Sequence, residues 1–429
     1  MRYMMRAGLG VLLVLGFIGS ALAQELGYAE PEELGFSKDR LARITDTLKA
    51  DVDHHVIPGA ALIIARHGKI AYFDTVGWLD PDKKIPMPSD GIFRLFSMSK
   101  AITSVAAMIL VEEGKLFLND PIAKYLPQFG HVKVLSATKA DPHAVGGDTG
   151  NPALVAPNRP PTIQDLLRHT AGLTYGFWGD PVAKMYRDNG LFGGDYDNAE
   201  FVTRIAKLPL AFQPGTVWNY SNGTDVLGRV VEVVSGKSLY RFEKENILDP
   251  LGMTDTGFYV TDPAKKIRIA QGLDTDSKVF GFPLFNPTIA GKWEAGGQGM
   301  EGTAIDYARF LQMLLYGGKL DGHRILSPET VKLMTADHLG KIGPSTNLYL
   351  PGPGTGFGLG FAVRRSEGVA TIAGSPGNYF WGGAAGTQFW NDPKLDMLVV
   401  FMVQAPNQGP HYAALLPNMV YAALTEPEK

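Results

Sequence analysis

FRLFSMSKAITSVAAMIL, residues 93–110, places Ser97 and Lys100 three positions apart at the head of a run that is apolar on nearly every side. A helix with no polar face is a buried helix, so residues 101–111 predict one through the centre of a domain. Ser97 falls at its first turn, where unpaired N–H groups and the positive dipole end favour negative charge developing on an oxygen. Lys100, one turn on, shares that face. Burial among apolar neighbours favours its uncharged amine, a base that can take the serine proton. The other reading is an ordinary helix start with Ser97 or Ser99 as N-cap. Ser136 and Lys139 repeat the spacing, but Ala140, Asp141 and Pro142 follow and no apolar helix holds that pair.

Working outward, ALIIARHGKIAYFDTVG (61–77) predicts a hairpin around His67 and Gly68. GTQFWNDPKLDMLVVFMVQ (386–404) predicts another, turning at residues 391–394, and HYAALLPNMVYAAL after it has helical periodicity. Between the two hairpins helix signals dominate. Thr162 with Asp165, and Thr303 with Asp306, are capping-box pairs, and the valine-rich helix of TDVLGRVVEVVSG ends at Gly236. The fold class is α+β: an antiparallel sheet flanked by helices, with a mostly helical inserted subdomain. The α/β part covers about 24–95 and 290–429, the helical part about 96–289, in one catalytic unit. The loops 137–161, 174–200 and 271–300 carry no element signal. The middle one holds Tyr175, Phe177, Trp178, Met185, Tyr186 and Phe192, either a wall over a site or a locally packed loop.

Composition narrows the function. The 429 residues hold 40 basic and 43 acidic side chains, with no basic run, so nucleic acid is not a partner. Residues 1–23 combine Arg2 and Arg6, a short apolar stretch, and Ala21 and Ala23 before Gln24. That is a secretory signal peptide, cut after Ala23, which implies a periplasmic or secreted protein with no membrane anchor left. With no cysteine there is no thiol nucleophile or thiolate metal site. The nine histidines are scattered without HExxH, so neither metal nor cofactor is expected.

PGTVWNYSNGTDVLG (214–228) leads through Tyr220, Ser221 and Asn222 into the valine-rich helix. A phenol beside a lysine can pass a proton between nucleophile and leaving group. Tyr196 repeats the pattern in a Gly-Asp loop with no buried helix predicted after it. AGSPG (373–377), with Asp392 and His411 behind it, imitates a nucleophile elbow, but Pro376 has no N–H to lend to an oxyanion.

Taken with LLRHTAGL (166–173), YARFLQMLLYGG (307–318) and WGGAAGTQFW (381–390), these motifs resemble the serine β-lactamase and penicillin-binding family, its class C-like branch and the related family VIII carboxylesterases. The resemblance runs through most of the chain. It implies Ser97 as acylated nucleophile, Lys100 as base, Tyr220 as proton relay and Asn222 in the pocket. It further implies an oxyanion hole from the N–H groups of Ser97 and Ala384, with Trp381, Gly382 and Gly383 against the substrate. Where lactamases and peptidases typically carry lysine in this third motif, Trp381 stands. That favours a small uncharged carboxylic ester over a β-lactam or D-Ala-D-Ala peptide. The alternatives are a class C-like β-lactamase or peptidase, and a penicillin-binding-type sensor without chemistry.

Overall fold

The two predicted hairpins lie side by side at the centre of one sheet. The computed structural model describes residues 26–136, 153–345 and 351–426; the residues expected to form a signal peptide, and residues 137–152 with Lys139 among them, lie outside these. Strands β1 (Gly59–Arg66) and β2 (Lys69–Asp80) turn through His67 and Gly68 at φ 52° and 72°. Two left-handed residues match the turn to the strand twist. From the C-terminal part come β3 (Thr355–Phe357), β4 (Ala362–Arg364), β5 (Tyr379–Gly382), β6 (Gln388–Asp392) and β7 (Met397–Val403). The order across the sheet is β2, β1, β7, β6, β5, β4, β3, antiparallel at each step, with Gly27–Tyr28 added in parallel beyond β2. The β6–β7 turn falls at residues 393–396, two later than expected, because Asp392 still pairs with Met397. Asp392 also accepts from the Tyr421 hydroxyl and the Ser375 amide, so the elbow-like AGSPG stretch is a structural corner.

Both sheet faces are covered, and the strand period of two sorts the residues between them. Ala61, Ile63 and Ala65 of β1, with Leu398, Val400 and Met402 of β7, join the core shared with the inserted helices. Ala60, Leu62 and Ile64, with Val399, Phe401 and Val403, face the opposite core, formed with α1 (Lys38–Asp53) and the C-terminal helix Gly409–Ala423.

On the first face lie α2 (Ser99–Glu112), α3 (Gly223–Ser235) and α4 (Ala304–Leu315). Every residue from Ser99 to Leu110 is buried, as the all-round apolar pattern requires. The Thr162–Asp165 capping box forms reciprocally. At α4, Thr303 accepts from the Asp306 amide, but the Asp306 carboxylate accepts instead from the Asp255 amide and Thr256, and burial raises its pKa to about 6. A helix, Asn198–Ile205, does follow Tyr196, capped by Asp197. The Tyr196 hydroxyl donates to the Leu191 carbonyl, so it is a loop anchor.

Phe401 is wholly buried, its ring 5.1 Å from Tyr412 of the C-terminal helix. Phe401→Ala should destabilise by about 3–5 kcal/mol, read as a lowered midpoint of urea unfolding.

Candidate active site

The chain enters α2 through a short 3₁₀ turn, Phe96–Met98, that contains Ser97. Phe96 has φ +46°, a left-handed conformation that costs a bulky side chain energy and must be held from outside. Ser99 holds it, donating its hydroxyl to the Phe96 carbonyl at 2.6 Å while accepting from the Met300 amide at 3.1 Å. Ser97 is thereby presented to a cavity of about 710 Å³, with α2 packed behind it.

Lys100, 1% exposed, has its Nζ 3.2 Å from Ser97 Oγ, 2.9 Å from the Tyr175 hydroxyl and 2.5 Å from the Gly297 carbonyl. The Gly296–Gly297 turn that offers this carbonyl is fixed from two helices. Gly297 N–H donates to Asp225 on α3 at 3.0 Å, and Thr103 on α2 donates to the Gly296 carbonyl at 3.0 Å. A Cβ at Gly297 would stand 2.7 Å from the Asp225 carboxylate, so only glycine fits. Thr103 also lies 2.9 Å from Glu243, a fully buried carboxyl whose pKa burial raises well above its usual value. Thr103 has a single proton, and a protonated Glu243 that donates to it satisfies both contacts. Burial likewise raises the Asp225 pKa, opposed by the adjacent Lys100 charge.

Tyr220 faces the same cavity. Its hydroxyl lies 3.1 Å from the Trp381 indole N–H, its ring centroid 4.8 Å from Lys100 Nζ, and its carbonyl accepts from Trp178 at 2.8 Å. The phenol hydrogen-bonded to Lys100 is Tyr175, which the sequence offers either as part of a wall over a site or as part of a locally packed loop. Seventy-five positions separate it from Lys100, and no local spacing announces the contact.

Of the third-motif residues, Ala384 is part of the cavity lining and Trp381, Gly382 and Gly383 are not. Trp381 is buried, and its N–H points to Tyr220 and not to an open substrate site. At Gly383 a Cβ would meet Thr387 Oγ1 at 2.2 Å and the Leu95 carbonyl at 2.3 Å; at Gly382 it would meet the Thr387 carbonyl at 2.9 Å. These glycines therefore admit the protein's own backbone, drawing the end of β5 against the Ser97 turn. Ala384 then lines the cavity with Ser97, and among the described residues its amide has no backbone acceptor. Asn222 is wholly buried, donates to Asp225 at 2.9 Å and is absent from the cavity lining. It stands at the N-cap of α3, bonded to the Asp225 that holds the Gly297 turn. Among the described residues no three His, Asp or Glu side chains converge on a metal site.

His169 backs Tyr220, with ring centroids 4.9 Å apart, and its Nδ1 lies 3.3 Å from Ser221 Oγ. Complete burial, and secondarily the Lys100 charge, hold its pKa well below 6.5. The unfolded chain therefore binds a proton that the folded one refuses. The stability His169 contributes is present above about pH 6.5 and lost as pH falls through the folded value. In His169→Asn, which tolerates the residue's φ of +58°, the melting temperature should fall overall and vary less between pH 6.5 and 4.5 than in the wild type.

Comparison with known proteins agrees with this architecture. The sequence profile of the family described as Beta-lactamase matches residues 44–424. Esterase EstB of Burkholderia gladioli is 31% identical over 375 residues, 82% of this chain and 87% of EstB. A lovastatin esterase of Penicillium rubens is 30% identical over 386 residues, 84% of this chain and 92% of that one. The solved structure of EstCE1, described as a hydrolase with promiscuous acyltransferase activity, superposes with a TM-score of 0.74 at 28% identity, covering 91% of this chain and 99% of EstCE1. The chain belongs to the β-lactamase family, as a hydrolase of the serine β-lactamase fold with esterases among its relatives.

Proposed function

We propose that the protein is an exported serine esterase that cleaves uncharged carboxylic esters through an acyl-enzyme on Ser97. The observation that carries this reading is the coordination of Lys100. Once it has given up a proton, the reactive amine form of Lys100 has two N–H bonds and one lone pair. The Gly297 carbonyl and the Tyr175 hydroxyl can take the two N–H bonds, which leaves the lone pair for the Ser97 proton at 3.2 Å.

In the proposed cycle Ser97 Oγ attacks the ester carbonyl as Lys100 takes its proton. The carbonyl oxygen becomes an oxyanion between the amides of Ser97 and Ala384. As the tetrahedral intermediate collapses, the bond to the alcohol breaks and the alcohol oxygen takes a proton from Tyr220. That phenol can give its proton outward because its oxygen accepts the Trp381 N–H. Lys100 returns a proton to Tyr220, and water then releases the acid by the same steps in reverse order. An alcohol in place of water would make the product a new ester, a second reading favoured by the aromatic lining.

Two features support uncharged substrates. The third motif has Trp381 in place of a lysine, and the cavity-lining Lys292 is paired with Asp195 at 3.4 Å. The signal-like residues 1–23 support export.

A fluorophosphonate should label the wild type at one site and fail on Ser97→Ala. Equal, poor labelling of both would leave a non-catalytic sensor as the better account. On p-nitrophenyl butyrate kcat/KM should exceed that on a cephalosporin, and the reverse ranking would make the protein a β-lactamase. Trp381→Phe keeps the packing but removes one hydrogen bond worth about 1 kcal/mol. It should lower kcat roughly three- to tenfold with KM little changed, as seen in steady-state kinetics.

A further inference from the structure

We infer that the natural ester carries a flat, uncharged ring system, bound under the tip of the hairpin 278–283; this rests on the Ser97 esterase reading and narrows its substrate from the small ester expected at first. A cavity of about 710 Å³ falls within the ~300–1,000 Å³ range of pockets that enclose drug-sized molecules. A butyryl group would occupy a minor part of it and leave water against apolar walls, which is unfavourable. Nine of the lining residues are aromatic.

Three of those rings form a column. Tyr175 and Phe177 stack at 4.8 Å with planes 17° apart, and Phe177 and Phe280 at 4.2 Å and 16°. The column runs from the phenol bonded to Lys100 out to the hairpin tip. Phe280 is 61% exposed and has φ +48°, followed by Gly281 at +83°. An exposed phenylalanine in a strained conformation is poor folding chemistry on its own terms. Its visible gain is the stack on Phe177, which extends the aromatic wall over the cavity. Phe96 and Phe285, edge to face at 5.6 Å, supply another part of the lining. Faces and edges of this kind favour a flat π system over a flexible alkyl chain of equal volume. The charged lining residues, Asp195 and Lys292, neutralise one another and leave no net charge for an ionic substrate.

The test compares ethyl 2-naphthylacetate and 2-naphthylmethyl acetate, with the ring on the acid or on the alcohol, against ethyl decanoate and ethyl acetate, following acid release by pH-stat. At least one naphthyl ester should exceed ethyl decanoate in kcat/KM by about tenfold. That ratio should fall severalfold in Phe280→Leu and in Phe177→Leu, which keep apolar bulk but lose the stack. A decanoate preference, or variants that slow all four esters equally, would overturn the inference while leaving Ser97 an esterase nucleophile. If no ester is cleaved and Ser97 is not labelled by fluorophosphonate, the esterase reading fails and this inference with it.

Discussion

A lysine amine buried to 1% exposure is the constraint around which the rest of the site is built. Burying such a group without partners is costly, and removing partners piecemeal leaves the cost uncompensated. The compensation is spread over distant parts of the chain: the Ser97 turn, the Tyr175 loop, and the Gly296–Gly297 turn held by Thr103 and Asp225. Two of the carboxyls in this support, Asp225 and Glu243, are themselves fully buried with raised pKa values. The lysine position is therefore defined by the packing of α2 against α3, and by the loop clamped between them.

Strain enters at the same place. Phe96 and His169 both sit at positive φ without being glycine, and both adjoin the Ser97, Lys100 and Tyr220 cluster. Phe96 immediately precedes Ser97, which lines the cavity; His169 brings its ring against Tyr220. Each is over-determined by its surroundings, Phe96 by Ser99 and Met300 and His169 by Ser221, Trp218 and Phe357. Such residues are tolerable where a rigid scaffold absorbs their cost. The sheet and its two covered faces supply that rigidity.

Local patterns were legible in the sequence because they follow from local physics. The alternation of β1 and β7, the continuous apolar surface of α2 and the Thr162 cap need only neighbours along the chain. The Ser97–Lys100 contact is legible for the same reason, being one helical turn long. The contact of Tyr175 with Lys100 and that of Asn222 with Asp225 are not legible, because they depend on which way a side chain turns after tertiary packing. Gly382 and Gly383 show a subtler failure. A glycine pair announces that something approaches closely, but the sequence does not say whether that is a substrate or, as here, Leu95 and Thr387.

Trp381 joins the two halves of this account. A lysine at that position would put a cation close to Tyr220, whose ring lies against Lys100, and would attract an anionic group. The indole gives Tyr220 a hydrogen-bond donor without adding charge, and its ring packs 5.1 Å from the tyrosine. Phenol orientation is thus separated from substrate charge recognition. The surrounding lining is aromatic, from Tyr175 out to Phe280. On the proposed mechanism, one residue of the third motif therefore bears both on the proton path and on the chemistry of the cavity above it.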